Sequence, residues 1–377
     1  MRHTLADILP SVAAAFDSDA ENPLGVVPAR DVVVLLIDGL GAELLARHAH
    51  VAPTLAAHVS TTLQAGFPAT TATSISSLAV GAPCGTHGII GYSFGLPGAD
   101  GPENFNALRW KIGGADGTDA RHTHLPVEVQ PVTSAVARLA ASDIDIHYVV
   151  PGYQVRSGLT LAAFSVDGEL HAAATLDEVR DGVLEVARHD DARRRFAYAY
   201  YPDLDMNGHV FGPESPEWLA ALTAIDAVVA DLLDDLPDTC TLLITGDHGM
   251  IRAGKAVDLE ADARLQQGVR LIAGEARVRH VYVDHVDAVA DVRSRWSGVL
   301  GDHALVVTRE QALDEHWFGP TPPIATIVAR IGHVLAVAQG TSILTCPTTE
   351  PMESGMAGHH GAWSDDEQLV PLIMNRG

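Results

Sequence analysis

The apolar positions of this chain fall into two patterns. Some run unbroken: Val32 to Ile37 is six apolar residues in a row, and TLLIT (241–245) is similar. Runs of that kind suit strands buried on both faces, as in a parallel sheet. Further strands are predicted at STTLQAGF (60–67), IDIHYVV (144–150), FAYAYY (196–201) and LVPLIM (369–374), with another at LTLAAFSV (159–166). Other apolar residues recur at helical spacing. GAELLARHA, the small-residue stretch after Thr71, VTSAVARLAAS and LDEVRDGVLEVARHDDARR read as helices. Residues 216–236 place Trp218, Leu222, Ile225, Val229 and Leu232 on one stripe. Strands alternating with helices predict an α/β fold with a mostly parallel sheet.

Three stretches break this rhythm. Residues 93–130 are Gly-rich and predict a long irregular loop beside a site. DLDMNGHVFGPES, with Pro202, Gly208, Gly212 and Pro213, also predicts a loop. From 251 to 340, short β-like runs (GVRLIAG, RVRHVYV, ALVVT, ATIVARI, HVLAVAQ) alternate with two short helices and predict an inserted α+β cap. The expected organisation is a helix and linker at 1–30, a catalytic body of 31–250 and 341–377, and a cap at 251–340.

Composition narrows the function classes. Forty-eight Asp+Glu against 24 Lys+Arg leave a formal charge of −24. That excludes a basic face for coating a nucleic-acid duplex, and an anionic substrate would need metal cations to reverse the local sign. Three widely spaced cysteines form no CxxC pair, so neither a thiolate zinc site nor a disulfide framework is indicated. The N-terminus imitates a signal peptide only weakly, since Asp7 and Pro10 interrupt it. No apolar run approaches the roughly 20 residues of a membrane span. The expectation is a soluble, cytoplasmic protein.

The candidate chemistry gathers at predicted strand ends, where ligands collect in open α/β sheets. Asp38 ends the first buried run, Asp205 and His209 follow FAYAYY, Asp247 and His248 follow TLLIT, and His359/His360 lie near the C-terminus. Carboxylates with imidazoles form a zinc-like ligand set, which also suits manganese or iron. Thr70 and Thr71 follow Pro68 at a predicted helix start, where free backbone N–H groups favour an anion. Gly39 and Gly41 make half a dinucleotide fingerprint, but Leu44 stands where its third glycine belongs. The Gly249–Lys255 spacing imitates a P-loop without the following Ser/Thr.

As a set, LIDGLG, FPATTATSISSLAVGAPCGTHGIIGY, DMNGHVFGP, TGDHGM and GHHG resemble the alkaline phosphatase superfamily, and within it the type I phosphodiesterase/nucleotide pyrophosphatase family. The resemblance implies an alkaline-phosphatase-like three-layer sandwich with a mostly parallel central sheet. It implies two divalent metal ions, zinc by preference. Asp38, Asp247 and His248 would hold one, and Asp205, His209 and His360 the other; His360 is preferred to His359 because Gly follows it. The family's nucleophile spacing, counted from Pro68 and from His87, gives Thr71, with Thr70 as the alternative. Tyr92 stands where the family's phosphodiesterases carry a phosphate-binding Asn, and Ser74 lies three residues after the nucleophile; both are expected at the substrate. The implied substrate is a small-molecule phosphoester, a nucleotide among the options, hydrolysed through a phospho-threonine. A phosphomonoesterase, a phosphonate hydrolase, a phosphoryl transferase and a non-hydrolytic metal-binding relative remain open.

Overall fold

Strand β1 (Asp31–Ile37) is buried along its whole length, and its side chains divide by parity. Val33, Leu35 and Ile37 enter one apolar core, whereas Val32, Val34 and Leu36 enter another. This two-residue period places a packed layer on each face of the sheet. Each such buried side chain contributes roughly 1.5–3 kcal/mol. The computed structural model describes residues 3–17, 21–114 and 117–375.

The main sheet has seven strands: β1, β2 (Val59–Gln64), β3 (Asp145–Val150), β4 (Glu169–Ala172), β5 (Arg195–Tyr201), β6 (Cys240–Thr245) and β7 (Leu369–Met374). Their order is β2-β7-β6-β1-β5-β3-β4. Only β7 runs against its neighbours. Helices α1 (Thr71–Val80), Ile8–Phe16 and Ala135–Ala141 cover the even face of β1. Helices α2 (Leu176–Ala187) and α4 (Pro216–Asp235) cover the other. The result is the expected α/β sandwich.

Four local expectations are corrected. Residues 93–130 are not irregular throughout: Ser93–Gly98, Gly101–Asn106, Lys111–Ile112 and Thr118–Asp119 form a small antiparallel sheet. LTLAAFSV is not a strand. Gly158–Ala163 is a short helix, because Ser157 accepts a hydrogen bond from the Thr160 amide and starts it. The predicted loop after Pro202 is helix α3 (Asp203–Phe211). Its glycines act otherwise than as breakers: a Cβ on Gly208 would lie 2.4 Å from Met250 Sδ, and Gly212 ends the helix with φ +88°. ATIVARI contains the helical turn Ala325–Val328 rather than a strand.

Within 251–340, strands Val269–Glu275, Val278–Val283, Ala304–Thr308 and Val334–Ala338 form a separate antiparallel sheet. One face packs on helix Val289–Leu300 through Val292, Trp296 and Leu300. The opposite face, with Val278, Val307 and Leu335, packs against Phe67, Phe94 and Phe105. No helix among the described residues is long and apolar enough to cross a membrane.

Candidate active site

The parallel strands β1, β5 and β6 end at the same edge, and each is followed at once by acidic residues. Close approach of their loops requires glycine. A Cβ on Gly39 (φ +74°) would lie 2.9 Å from Asp205 Cα, and one on Gly41 would lie 2.7 Å from Gly249 Cα. The half-fingerprint of glycines after β1 therefore serves to bring Asp38, Asp205 and Asp247 together.

Two groups of metal-ligating side chains result. Asp38, Asp247 and His248 are all buried; in the other group His360 is buried but Asp205 and His209 are partly exposed. Within each group, one ligand atom per residue lies within 4.8 Å of the others. Ring tautomers follow from the backbone. Nδ1 of His248 lies 3.0 Å from the Gly249 carbonyl, Nδ1 of His209 2.8 Å from that of Gly358, and Nδ1 of His360 2.9 Å from that of Ala69. A carbonyl only accepts, so each Nδ1 carries the proton and each Nε2 presents a lone pair.

Those lone pairs face other acceptors. Nε2 of His248 lies 3.3 Å from Asp247 Oδ2 and 3.5 Å from Asp38 Oδ1. Nε2 of His209 lies 3.3 Å from Asp205 Oδ2 and 3.3 Å from His360 Nε2. Asp38 Oδ1, Asp205 Oδ1 and Asp247 Oδ2 are buried without any hydrogen-bond partner in the protein. Acceptors converging with no donor between them are costly unless a cation sits there. Burial, then the charges of Asp247 and Asp205, holds the Asp38 carboxyl well above its usual range. Burial also raises Asp247, against the opposing effect of His248. Burial and two neighbouring imidazoles push His360 far down, which keeps it neutral and able to ligate. The donor set fits two divalent cations, and backbone carbonyls orient the imidazoles from behind.

Thr71 is the first residue of α1, and its Oγ1 lies 3.2 Å from His248 Nε2. Thr70 is the N-cap, yet its side chain caps nothing, so the first-turn amides have no side-chain partner there. His359 is turned away, 3.2 Å from the Met356 carbonyl. Ser74, expected at the substrate, is instead fully buried below Thr71 with its hydroxyl unpartnered. Tyr92 donates to Glu353 at 3.0 Å and lines a cavity of about 600 Å³.

Two neighbours escaped sequence reasoning. The Tyr200 hydroxyl donates to Asp38 Oδ2, and its place in β5, paired with Leu36 near the end of β1, offered a faint signal. Glu275, from the 251–340 sheet, comes within reach of the Thr70 hydroxyl, and its Oε1 would lie 3.0 Å from a Cβ on Gly361. Burial pushes its carboxyl up to about 8. Nothing local in the sequence marks it.

The fold and the paired His/Asp groups define an alkaline-phosphatase-like protein. The structure aligns with phosphonoacetate hydrolase of Sinorhizobium meliloti over 93% of this chain and 91% of that one, at a TM-score of 0.68 and 16% identity. It aligns with murine ectonucleotide pyrophosphatase/phosphodiesterase 5 over 90% and 87%, at a TM-score of 0.65 and 16% identity. The model of the type I phosphodiesterase/nucleotide pyrophosphatase family matches residues 32–363, and the chain belongs to that family. An uncharacterized pyrophosphatase/phosphodiesterase of Schizosaccharomyces pombe is 26% identical over 265 residues, covering 65% of this chain and 49% of that protein. Ectonucleotide pyrophosphatase/phosphodiesterase family member 1 of Mus musculus is 31% identical over 154 residues, 39% of this chain and 15% of that protein. The chain thus spans at most half the length of these two curated relatives.

Proposed function

We propose that this protein is a metal-dependent hydrolase of phosphodiester or pyrophosphate bonds that works through a phospho-threonine on Thr71. The observation that carries the reading is the position of Thr71 Oγ1, at the start of α1 and against His248 of the fully buried ligand group. Two bound divalent ions, zinc by donor type, would lower the hydroxyl's pKa and neutralise the attacking and leaving oxygens. Asp38, Asp247 and His248 would hold one, and Asp205, His209 and His360 the other. Thr71 Oγ forms a bond to phosphorus while the bond to the leaving oxygen breaks. Free amides of the first turn of α1 stabilise the phosphoryl oxygens. Water then attacks the same phosphorus and releases the Thr71 hydroxyl.

The cavity beside Tyr92 suits the leaving group. It lies between the 93–119 sheet and the 269–283 strands. Ser93, one of its lining residues, bonds through Oγ to the Gly274 backbone, and Glu275 follows, within reach of Thr70. Its walls carry Arg109, Lys111 and Arg270 together with Glu260, Glu350 and Glu353. Among the described residues, Lys111 and Arg270 have no ion-pair partner, whereas Arg109 is 3.4 Å from Glu353. Glu350 is paired with Arg279, so Lys111 and Arg270 are the cations left to meet an anion on the leaving group, against the carboxylate of Glu260, and the 251–340 segment acts as the cap that selects it.

The test compares bis-p-nitrophenyl phosphate, p-nitrophenyl phosphate and thymidine 5′-p-nitrophenyl phosphate, with zinc and with chelator, for wild type and Thr71→Ala. Chelator-sensitive diester hydrolysis that disappears in Thr71→Ala is expected. Preference for the monoester would move the protein to the phosphatases with the same site. Hydrolysis that survives Thr71→Ala but not Thr70→Ala would transfer the nucleophile. Zinc binding without turnover of any ester would overturn the hydrolase reading.

A further inference from the structure

A third gathering of metal-ligating side chains lies at the far edge of the main sheet. His147 of β3 is in register with Glu169 of the edge strand β4, and His171 stands two residues beyond Glu169. The strand period therefore puts all three on one face of the sheet. Helix α2 crosses that face closely, because a Cβ on Gly182 would lie 2.7 Å from Val149 Cγ1 and 3.4 Å from His171 Cβ. Glu185, one turn further along α2, reaches His171 Nδ1 at 3.1 Å.

The spacing is that of a coordination shell. His147 Nδ1 lies 3.1 Å from His171 Nε2 and 3.7 Å from Glu169 Oε2, and all three ligand atoms fall within 4.8 Å of one another. A tetrahedral ion with bonds of about 2.0–2.1 Å separates its ligand atoms by about 3.3 Å. Glu185 accepts a hydrogen bond from Nδ1–H of His171, which leaves the Nε2 lone pair towards His147. Carboxylate–histidine pairs orient metal ligands in this way. The imidazoles are 7% and 10% exposed, while Glu169 and Glu185 are 68% and 72% exposed. An ion can therefore enter from solvent past the exposed carboxylates to reach the two imidazoles.

We propose that His147, Glu169 and His171 form a site for a zinc-type divalent cation, separate from the catalytic groups, that ties edge strand β4 to β3. Water completes the shell. Without the ion, His147 Nδ1–H donates to His171 Nε2. With it, both nitrogens turn lone pairs to the metal and the His147 proton moves to Nε2, so no proton is lost from the pair. That Nε2 has no protein partner, so the ion must also offset a shielded N–H left without an acceptor. The ion would protect a four-residue edge strand from fraying or pairing with another chain.

The test reads metal content, not activity, so it stands whether or not the hydrolase reading holds. An Asp247→Ala/His209→Ala background removes one ligand from each catalytic group. After equilibrium dialysis against micromolar zinc chloride, this protein is expected to keep one zinc per chain and to show a tetrahedral cobalt(II) visible band on exchange. Adding His171→Ala abolishes both. Glu169→Gln, a change at an exposed side chain that leaves the core untouched, weakens zinc binding at least about tenfold. If the background does not fold, the same Glu169→Gln change in the otherwise native chain must weaken one of its zinc-binding steps at least about tenfold. A background protein that folds and binds no zinc, or zinc content indifferent to both substitutions, overturns the site.

Discussion

The two catalytic groups use the same kinds of ligand in different settings. Asp38, Asp247 and His248 come from two adjacent strand ends, β1 and β6, and all three are buried. Asp205 and His209 ride on one face of helix α3, and His360 joins them from the segment before β7. That second group is partly open. The difference assigns labour. The sealed group lies against Thr71 and suits activation of a hydroxyl in a dry environment, where electrostatic interactions are stronger. On the proposed mechanism, the open group would serve the leaving oxygen and the incoming water.

The largest expected effect comes from the hydroxyl beside the sealed group. Thr71→Ala should lower kcat by about 10³-fold or more with metal content unchanged. Thr70→Ala should leave kcat far less changed and lose no helix cap, because that side chain caps no amide; steady-state kinetics and thermal melts read both.

Asp247→Asn should cut activity at least about 100-fold through lost metal affinity. Yet it should raise the melting temperature of the metal-free protein near neutral pH, because it removes a buried carboxylate crowded by Asp38. A lower melting temperature would mean that the sealed group is satisfied without a cation. His209→Ala, at the open group, should cost less, about 10- to 100-fold, and added zinc should partly restore it. Equal losses in the two groups would erase the contrast drawn between them.

Glu275 supplies a pH test. The native protein keeps its proton up to about 8, whereas an unfolded carboxyl loses it near 4.5. Stability from this group is full at the acid end and is lost as pH rises through that window. Glu275→Gln should therefore gain melting temperature relative to wild type as pH rises from acidic to mildly alkaline. A difference constant with pH would place that carboxyl in water. The smallest effect concerns the cavity. Lys111→Ala with Arg270→Ala should raise KM about fivefold for NADP⁺ but not for NAD⁺, whose only difference is one phosphate.

Much of the architecture could be read from pattern. Unbroken apolar runs marked β1 and β6, and the acids following them landed where parallel strands end. The helix stripe at Trp218, Leu222 and Ile225 was equally legible. Failures came where one residue type serves two purposes. Gly208 and Pro202 looked like breakers of α3, but proline preceded the helix and glycine made room for Met250. LTLAAFSV carried strand-like residues, but a local Ser157 cap and a neighbouring core decided for helix.

The sequence by itself determined the sandwich and the order in which ligand-bearing loops follow their strands, because both rest on local periodicity and on chain direction. The family's motif spacing names Thr71 and His360, but only the tertiary structure decided how they meet His248 and His209, and that Glu275 comes within reach of Thr70 from a separate sheet. Those outcomes depend on distances between segments far apart in the chain, set by glycine-permitted contacts and ring orientations that no local pattern encodes.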